Sequence, residues 1–265
     1  MPLNKLQVTV EDDGVATLLL NDPDSRNAMT PDMGEEMVLA VEELRNDAAV
    51  RVVLVTGAGQ SFSAGGNLSM LARDAGLSSD GPSMAGSPVD FYSRFLSIRK
   101  LEVPTIAVIN GHAIGAGLCF ALGCDMRIAA RGAKMGMTFT RLGIHPGMGA
   151  TYSLPRLVGT AVAAELLFTG RVFDADEAAR LGIVSRVVQR EDLGRVARDL
   201  ANEIATAGPV AVRLTKRAIY QGEGRTLEDA LALESSQQVQ TFATEDAKEG
   251  IRAIMEKRSP VFQGR

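Results

Sequence analysis

Two stretches of small residues stand where backbone amides could do chemistry. The first, Ser63-Ala64-Gly65-Gly66-Asn67-Leu68, comes after the β-branched run Val50–Thr56. The second, Asn110-Gly111-His112-Ala113-Ile114-Gly115-Ala116-Gly117, follows the run Thr105–Ile109 and leads into the apolar stretch Leu118–Leu122. Each reads as strand, small-residue turn, helix. Small residues let a ligand approach the backbone. Free N–H groups at a helix start point outward, and the helix dipole favours negative charge there. Two such turns facing one another would make an oxyanion hole from backbone amides. The plainer reading of either turn alone is that its glycines only allow tight packing.

Thr56-Gly57-Ala58-Gly59 also invites a dinucleotide-binding reading, since it follows a strand. We reject it. Gln60, Ser61 and Phe62 come next, so the third glycine is out of register. No Tyr-x-x-x-Lys pair begins at Tyr92, Tyr152 or Tyr220 either, which removes the short-chain dehydrogenase option. Cys119 and Cys124 fall five residues apart in an expected helix. That spacing puts them roughly 140° apart around it, so a disulfide between them is not expected. No zinc-ligand spacing exists.

These turns need strands and helices to hold them. Leu6–Val10 and Val15–Leu20 read as two strands joined by the acidic turn Glu11–Gly14. Thr30-Pro31-Asp32 is a helix start, followed by Met33, Met37, Val41 and Leu44 at helical spacing. Val50–Thr56 and Thr105–Ile109 are continuous apolar runs of the kind found in strands buried on both faces. Strands alternating with helical stretches predict an α/β core. Asp74–Pro88 is rich in Gly, Ser and Pro and reads as a long loop, a feature often functional. Ser87-Pro88 starts a helix to about Lys100. From about residue 190 the chain reads as helical: Leu193–Ala207, Val210–Tyr220, and a long helix from the Thr226/Asp229 capping pattern to about Lys257.

The whole chain excludes several classes. Its 265 residues suffice for a sizeable core, with 46% hydrophobic and 23% charged residues. A net charge of −4 argues against broad nucleic-acid binding. The N-terminus MPLNKLQVTV has no secretory-signal pattern, and Ala113–Leu122 is too short to span a bilayer. A cytoplasmic protein without membrane or nucleic-acid partners is expected.

SFSAGGNL, NGHAIGAGLCFALGCD and LGIHPGMGATYSLPRLVG, in this order, resemble the crotonase superfamily, the enoyl-CoA hydratase/isomerase family. The likeness continues through Phe168-Thr169-Gly170 and Ala175–Val188 and ends in EDAKEGIRAIMEKRSPVFQGR. It implies a crotonase-type ββα spiral core over residues 1–190, which binds an acyl-CoA. It also implies a C-terminal helical trimerisation region over 191–265, with a homotrimer or dimer of trimers. Coenzyme A would arrive as part of the substrate, with no permanently bound cofactor and no metal.

By this resemblance, Gly66 and Ala116 supply the two oxyanion amides. Arg26, Asn27 and Ala28 match the turn beside the nucleotide. Ala64 and Leu68 match positions near the adenine. Lys257 and Phe262 match a C-terminal segment that approaches coenzyme A, often from a neighbouring subunit. Asn67 stands where relatives usually carry Asp, a position read as structural. The two glutamates of typical hydratases align with Cys119 and Phe139, neither a carboxylate. Some relatives place an acid after the proline of the later motif, but His145-Pro146-Gly147-Met148 has none. His145 is then the leading titratable candidate, because histidine changes charge near neutral pH. His112, Cys119 and the loop acids Asp74, Asp80 and Asp90 are further candidates. Asp125 is expected to pair within the core. Met70, Leu71, Phe139 and Leu142 would suit an apolar acyl group. The resulting expectation is an acyl-CoA enzyme that stabilises a thioester enolate: an isomerase, decarboxylase, hydrolase or atypical hydratase. The alternative is a non-catalytic acyl-CoA-binding protein of the same fold.

Overall fold

A computed structural model describes residues 3–84, 87–222 and 224–265. The chain opens with strands β1 (Leu6–Val10) and β2 (Val15–Leu20), then helix α1 (Pro31–Asn46). Thr30 caps α1 by accepting from the Met33 N–H, and Pro31 sits in its first turn, where no N–H is needed. Next come β3 (Val52–Gly57), β4 (Ser61–Ser63), α2 (Leu68–Asp74) and α3 (Pro88–Leu96). The helix expected from Ser87 to Lys100 is α3 followed by a 3-10 turn over Ser97–Lys100.

β5 (Thr105–Ile109), β6 (His112–Ile114) and α4 (Ala116–Gly123) follow, then β7 (Met126–Ala130) and β8 (Lys134–Gly136). After a 3-10 turn over Thr138–Leu142 come α5 (Ala150–Val158), α6 (Thr160–Thr169), β9 (Val172–Asp174), α7 (Ala175–Arg180) and β10 (Arg186–Val188). The chain ends in α8 (Leu193–Ala205), α9 (Pro209–Gln221), α10 (Leu227–Phe242) and α11 (Glu245–Glu256).

Six strands form one sheet in the order β1-β2-β3-β5-β7-β10, and four form a second in the order β4-β6-β8-β9. β3, β5, β7 and β10 are parallel neighbours, as are β4, β6 and β8. Each pass of the chain therefore lays one strand in each sheet before a helical return, which winds it as a ββα spiral. The side chains of β3 alternate between two cores, as period-two geometry requires. Val53 and Val55 join Phe62, Ala113, Met135 and α4 between the sheets. Val52 and Leu54 join Ile106, Val108 and Ile128 beneath Leu193, Ala197 and Ala201 of α8. So α8, on the C-terminal side of residue 190, covers the outer face of the large sheet.

Two expectations need correction. The single long helix from Thr226 to Lys257 is two helices. Thr226 does cap α10, accepting from the Asp229 N–H, but Thr244 caps again, accepting from the Ala247 N–H at 3.1 Å. A threonine hydroxyl that binds backbone locally starts a helix more readily than it continues one. Cys124 is also not within a helix with Cys119: it lies just beyond α4 in extended backbone. Both thiols are buried and free.

Candidate active site

The site is built where the turn after β4 meets the turn after β6. Asn27 anchors the first side. Its backbone is left-handed (φ 55°) and its side chain is fully buried. Its amide nitrogen donates to the carbonyls of Ala58, Ser61 and Phe62, and its Oδ1 accepts from the Asp22 N–H. The Ser63 hydroxyl donates to the Asn27 carbonyl at 2.7 Å, and the Ala64 N–H donates to the Arg26 carbonyl at 2.9 Å. One turn, residues 26–29, is thereby riveted to another, residues 63–67.

Pairing then decides where Gly66 points. The Met29 N–H donates to the Gly65 carbonyl at 2.7 Å, and the Asn67 N–H donates to the Met29 carbonyl at 3.2 Å. Alternate peptides of an extended segment face opposite ways, so the Gly66 N–H is directed away from Met29. It has no partner among the described residues. Asn67 caps α2 by accepting from the Met70 N–H at 3.1 Å, the structural role expected of it.

On the second side, Gly115 adopts φ 54° and ψ −122°, a conformation open to glycine alone. It donates to the Gly136 carbonyl and turns the chain straight into α4. Ala116 is therefore the first residue of a helix whose every residue is buried. Its N–H is among those a helix cannot satisfy internally, and it too has no partner among the described residues. The turns touch: a side chain on Gly65 would strike the Ile114 carbonyl and lie 3.2 Å from the Ala116 nitrogen.

Both amides line a cavity of about 540 Å³. Arg26, Ala28, Ala64 and Leu68 lie along the same wall, and Leu68 is 74% exposed, which marks the mouth. Met70, Leu71, Phe139 and Leu142 line it as the acyl reading requires, joined by Phe91, Tyr92 and Met148. His145 is on the wall and exposed, with Nδ1 2.8 Å from the Pro146 carbonyl. A carbonyl only accepts, so Nδ1 carries the proton in the neutral ring and Nε2 is the acceptor.

Other candidates are not brought to the cavity. Cys119 is buried behind the wall, and burial pushes its thiol up to about 12. A thiol held protonated is a poor nucleophile or base, so the expectation for Cys119 is corrected on that ground. His112 lies at the surface, its Nδ1 accepting from the Lys134 N–H. Asp74 is spent on the loop, accepting from the Ser83 hydroxyl and the Met84 N–H. Asp80 and Asp90 are exposed and not on the cavity wall. Ala85 and Gly86 of that loop lie outside the described residues. Asp125 pairs within the fold as expected, accepting from Thr105, Lys216 and Tyr220. Within one chain Lys257 and Phe262 are also away from the cavity. Lys257 ends α11 in left-handed backbone, and Phe262 lies against Gly250. Thr56–Gly59 leads into β4 rather than a helix, which agrees with rejecting a dinucleotide site.

Tyr92 is the lining residue that sequence reasoning passed over. Its phenol is half-buried, and burial, reinforced by the neighbouring Cys119 thiol, raises its pKa above the ordinary value. Within Pro88–Leu96 it reads as one more aromatic of an amphipathic helix, so nothing local marks it.

The spiral α/β core is that of the crotonase fold. Residues 10–265 match the model of the family described as enoyl-CoA hydratase/isomerase. The short-chain-enoyl-CoA hydratase of Clostridium acetobutylicum is 40% identical over 260 residues, covering 97% of each chain. The mitochondrial methylglutaconyl-CoA hydratase of Homo sapiens is 38% identical over 264 residues, covering 96% of this chain and 75% of the relative. Among solved structures, an enoyl-CoA hydratase from Bacillus anthracis superposes with a TM-score of 0.91 at 35% identity, over 99% of this chain and 100% of that one. The chain belongs to the enoyl-CoA hydratase/isomerase family.

Proposed function

We propose that this chain is an enzyme that binds an acyl-coenzyme A thioester and stabilises its enolate between the Gly66 and Ala116 amides. The observation that carries the proposal is the pair of unpartnered N–H groups on touching turns in one cavity wall. Donors fixed in advance beside an apolar space favour an oxyanion at no reorganisation cost when charge develops. Arg26, Ala28, Ala64 and Leu68 at the mouth would take the nucleotide end, with Arg26 set for a phosphate. Coenzyme A enters as part of the substrate, and no permanently held cofactor or metal is needed.

The reaction class is hydratase/isomerase-like: isomerisation, decarboxylation, hydrolysis or an atypical hydration. The resemblance puts the hydratase glutamates at Cys119 and Phe139, so the usual pair of carboxylates is not expected here. We place the protein in the cytoplasm as a homotrimer or dimer of trimers. Exposed apolar residues on the last two helices, such as Phe242 (61%), Ile254 (79%) and Met255 (80%), support self-association. Such assembly would bring Lys257 and Phe262 to a neighbouring cavity. No described helix is long and apolar enough to cross a membrane.

A second reading, a non-catalytic acyl-CoA binder, is favoured by one observation: no Asp or Glu is among the described cavity-lining residues. Calorimetry with crotonyl-CoA, acetyl-CoA and free coenzyme A, paired with turnover assays on an acyl-CoA panel, separates the two. Binding with turnover supports the enzyme, and tight binding without turnover supports the binder. Failure of every thioester to bind removes both.

A further inference from the structure

We propose that the Tyr92 hydroxyl delivers the proton that quenches the enolate on the acyl side of the cavity. The inference rests on the thioester reading above and deepens it.

Three observations place that hydroxyl. First, Tyr92 lies on the cavity wall with Gly66 and Ala116. Second, its oxygen has no hydrogen-bond partner among the described residues, yet it is not sealed in the interior, because no buried side-chain polar atom there lacks a partner. A half-buried phenol with an open hydroxyl is unusual, since such groups normally find a partner. Third, the ring abuts a row of packed aromatics. Phe91 meets it edge-on at 6.3 Å, Phe91 packs on Phe95 at 5.1 Å, Phe95 on Phe120 at 6.3 Å, and Phe120 on Phe62 at 6.1 Å. This row of rings ties α3 to α4, which Ala116 opens, and to β4, whose following turn carries Gly66.

Gly147 completes the seat. A Cβ there would lie 2.5 Å from the Tyr92 oxygen and 2.7 Å from Cζ, so the phenol fills the space that a side chain would need. The other nitrogen-bearing side chains on the wall fit this role less well. Arg26 is at the mouth, Asn67 caps α2, and His145 is exposed with Nδ1 held at the Pro146 carbonyl. Burial keeps the resting phenol protonated, which suits the donor, and in the reverse direction its phenolate takes the α-hydrogen, which is why exchange reports on it.

The step balances as follows. The enolate C=C electron pair forms a bond from the α-carbon to the phenolic hydrogen as the O–H bond breaks. The thioester carbonyl re-forms, and its oxygen leaves the amide pair uncharged. The Tyr92 phenolate then recovers a proton from solvent water.

The test uses the full-length protein and Tyr92→Phe, which keeps the ring and its packing. Crotonyl-CoA binding is measured by calorimetry, turnover by loss of the conjugated-enoyl absorbance, and α-hydrogen exchange of butyryl-CoA in heavy water by NMR. Expected is unchanged affinity within about threefold, with turnover and exchange both down by roughly 10²–10⁴, the usual worth of a general acid. Gly147→Ala, whose methyl displaces the hydroxyl without removing it, should give a smaller loss of the same kind. Tyr92→Phe with kcat and exchange within threefold of wild type overturns the proposal. So does a wild-type protein that binds crotonyl-CoA but shows neither turnover nor exchange, a result that leaves the thioester site standing. A wild-type protein that binds no thioester removes the site itself.

Discussion

Two adjacent glycines should behave in opposite ways when given a methyl group. Gly65 holds φ +87°, and a Cβ there would strike the Ile114 carbonyl beside the Ala116 nitrogen. Left-handed backbone costs a residue with a Cβ about 1–2 kcal/mol. Forcing a methyl into filled space adds about 1–3 kcal/mol. Gly65→Ala should therefore lose about 2–5 kcal/mol of stability. Relief comes only by parting the two turns, which takes one amide out of register. Losing one such donor lowers turnover by roughly 10²–10³. Gly66 is different: its nearest neighbours are Leu71 side-chain atoms at 3.7–3.8 Å, ordinary contact, and its φ is outside the left-handed region. Gly66→Ala should hold stability within about 1 kcal/mol, because the methyl fits and the unfolded chain loses freedom. Its amide is retained, so turnover should stay within about tenfold, or 1.4 kcal/mol of barrier. Urea denaturation and acyl-CoA turnover on both variants provide the check. Equal urea midpoints, or full activity in Gly65→Ala, would refute the geometry of the paired turns.

Asn27→Ala removes four side-chain hydrogen bonds, two of them fully buried, and leaves alanine at φ 55°. A loss of about 3–5 kcal/mol is expected from urea midpoints, with weaker acyl-CoA binding as the 26–29 turn comes loose. Cys119 and Cys124 both have thiols raised by burial from 9.0 to about 12. Neither should react with a disulfide reagent in the native protein at pH 8, and both should react in denaturant. A raised folded value means the stability these thiols contribute is full below about 9 and is lost as pH climbs toward 12, so base unfolding should begin in that window. Ile254→Glu places a charge on an exposed apolar helix face; light scattering should show a smaller assembly with unchanged helical circular dichroism if that face joins subunits.

The strands were readable because their chemistry is local. β1, β2 and β5 fall on the residues that alternation and β-branched runs indicate. The caps at Thr30, Ser87 and Thr226 were readable for the same reason, each a hydroxyl placed before a helical run. The break at Thr244 was missed because helical residues flank it on both sides and no glycine or proline marks it. The amide pair was legible as two glycine-rich turns, although only the bridge from Met29 to the 65–67 segment fixes which amide is left free. Tyr92 could not be read at all. Its significance comes from facing Gly147, 55 residues on, and from a missing hydrogen bond, and neither leaves a trace in its own segment.

The makeup of the wall also explains why a phenol can serve where a carboxylate would not. Met70, Leu71, Phe91 and Met148 make that region apolar, and an ionised acid set among them would need a paired cation to offset its desolvation. Arg26 is the one Lys, Arg, Asp or Glu among the described lining residues, and it is exposed. A neutral phenol enters such a wall without that penalty and still carries a transferable proton. With the amide pair fixed on the wall, negative charge on a bound thioester would have a favourable place to sit: the carbonyl oxygen. A cavity of this kind favours reactions whose charge builds on that oxygen over those that need a charged base at the β-carbon. It therefore points away from rapid hydration and toward proton movement at the α-carbon, which makes α-hydrogen exchange the more sensitive assay of the two.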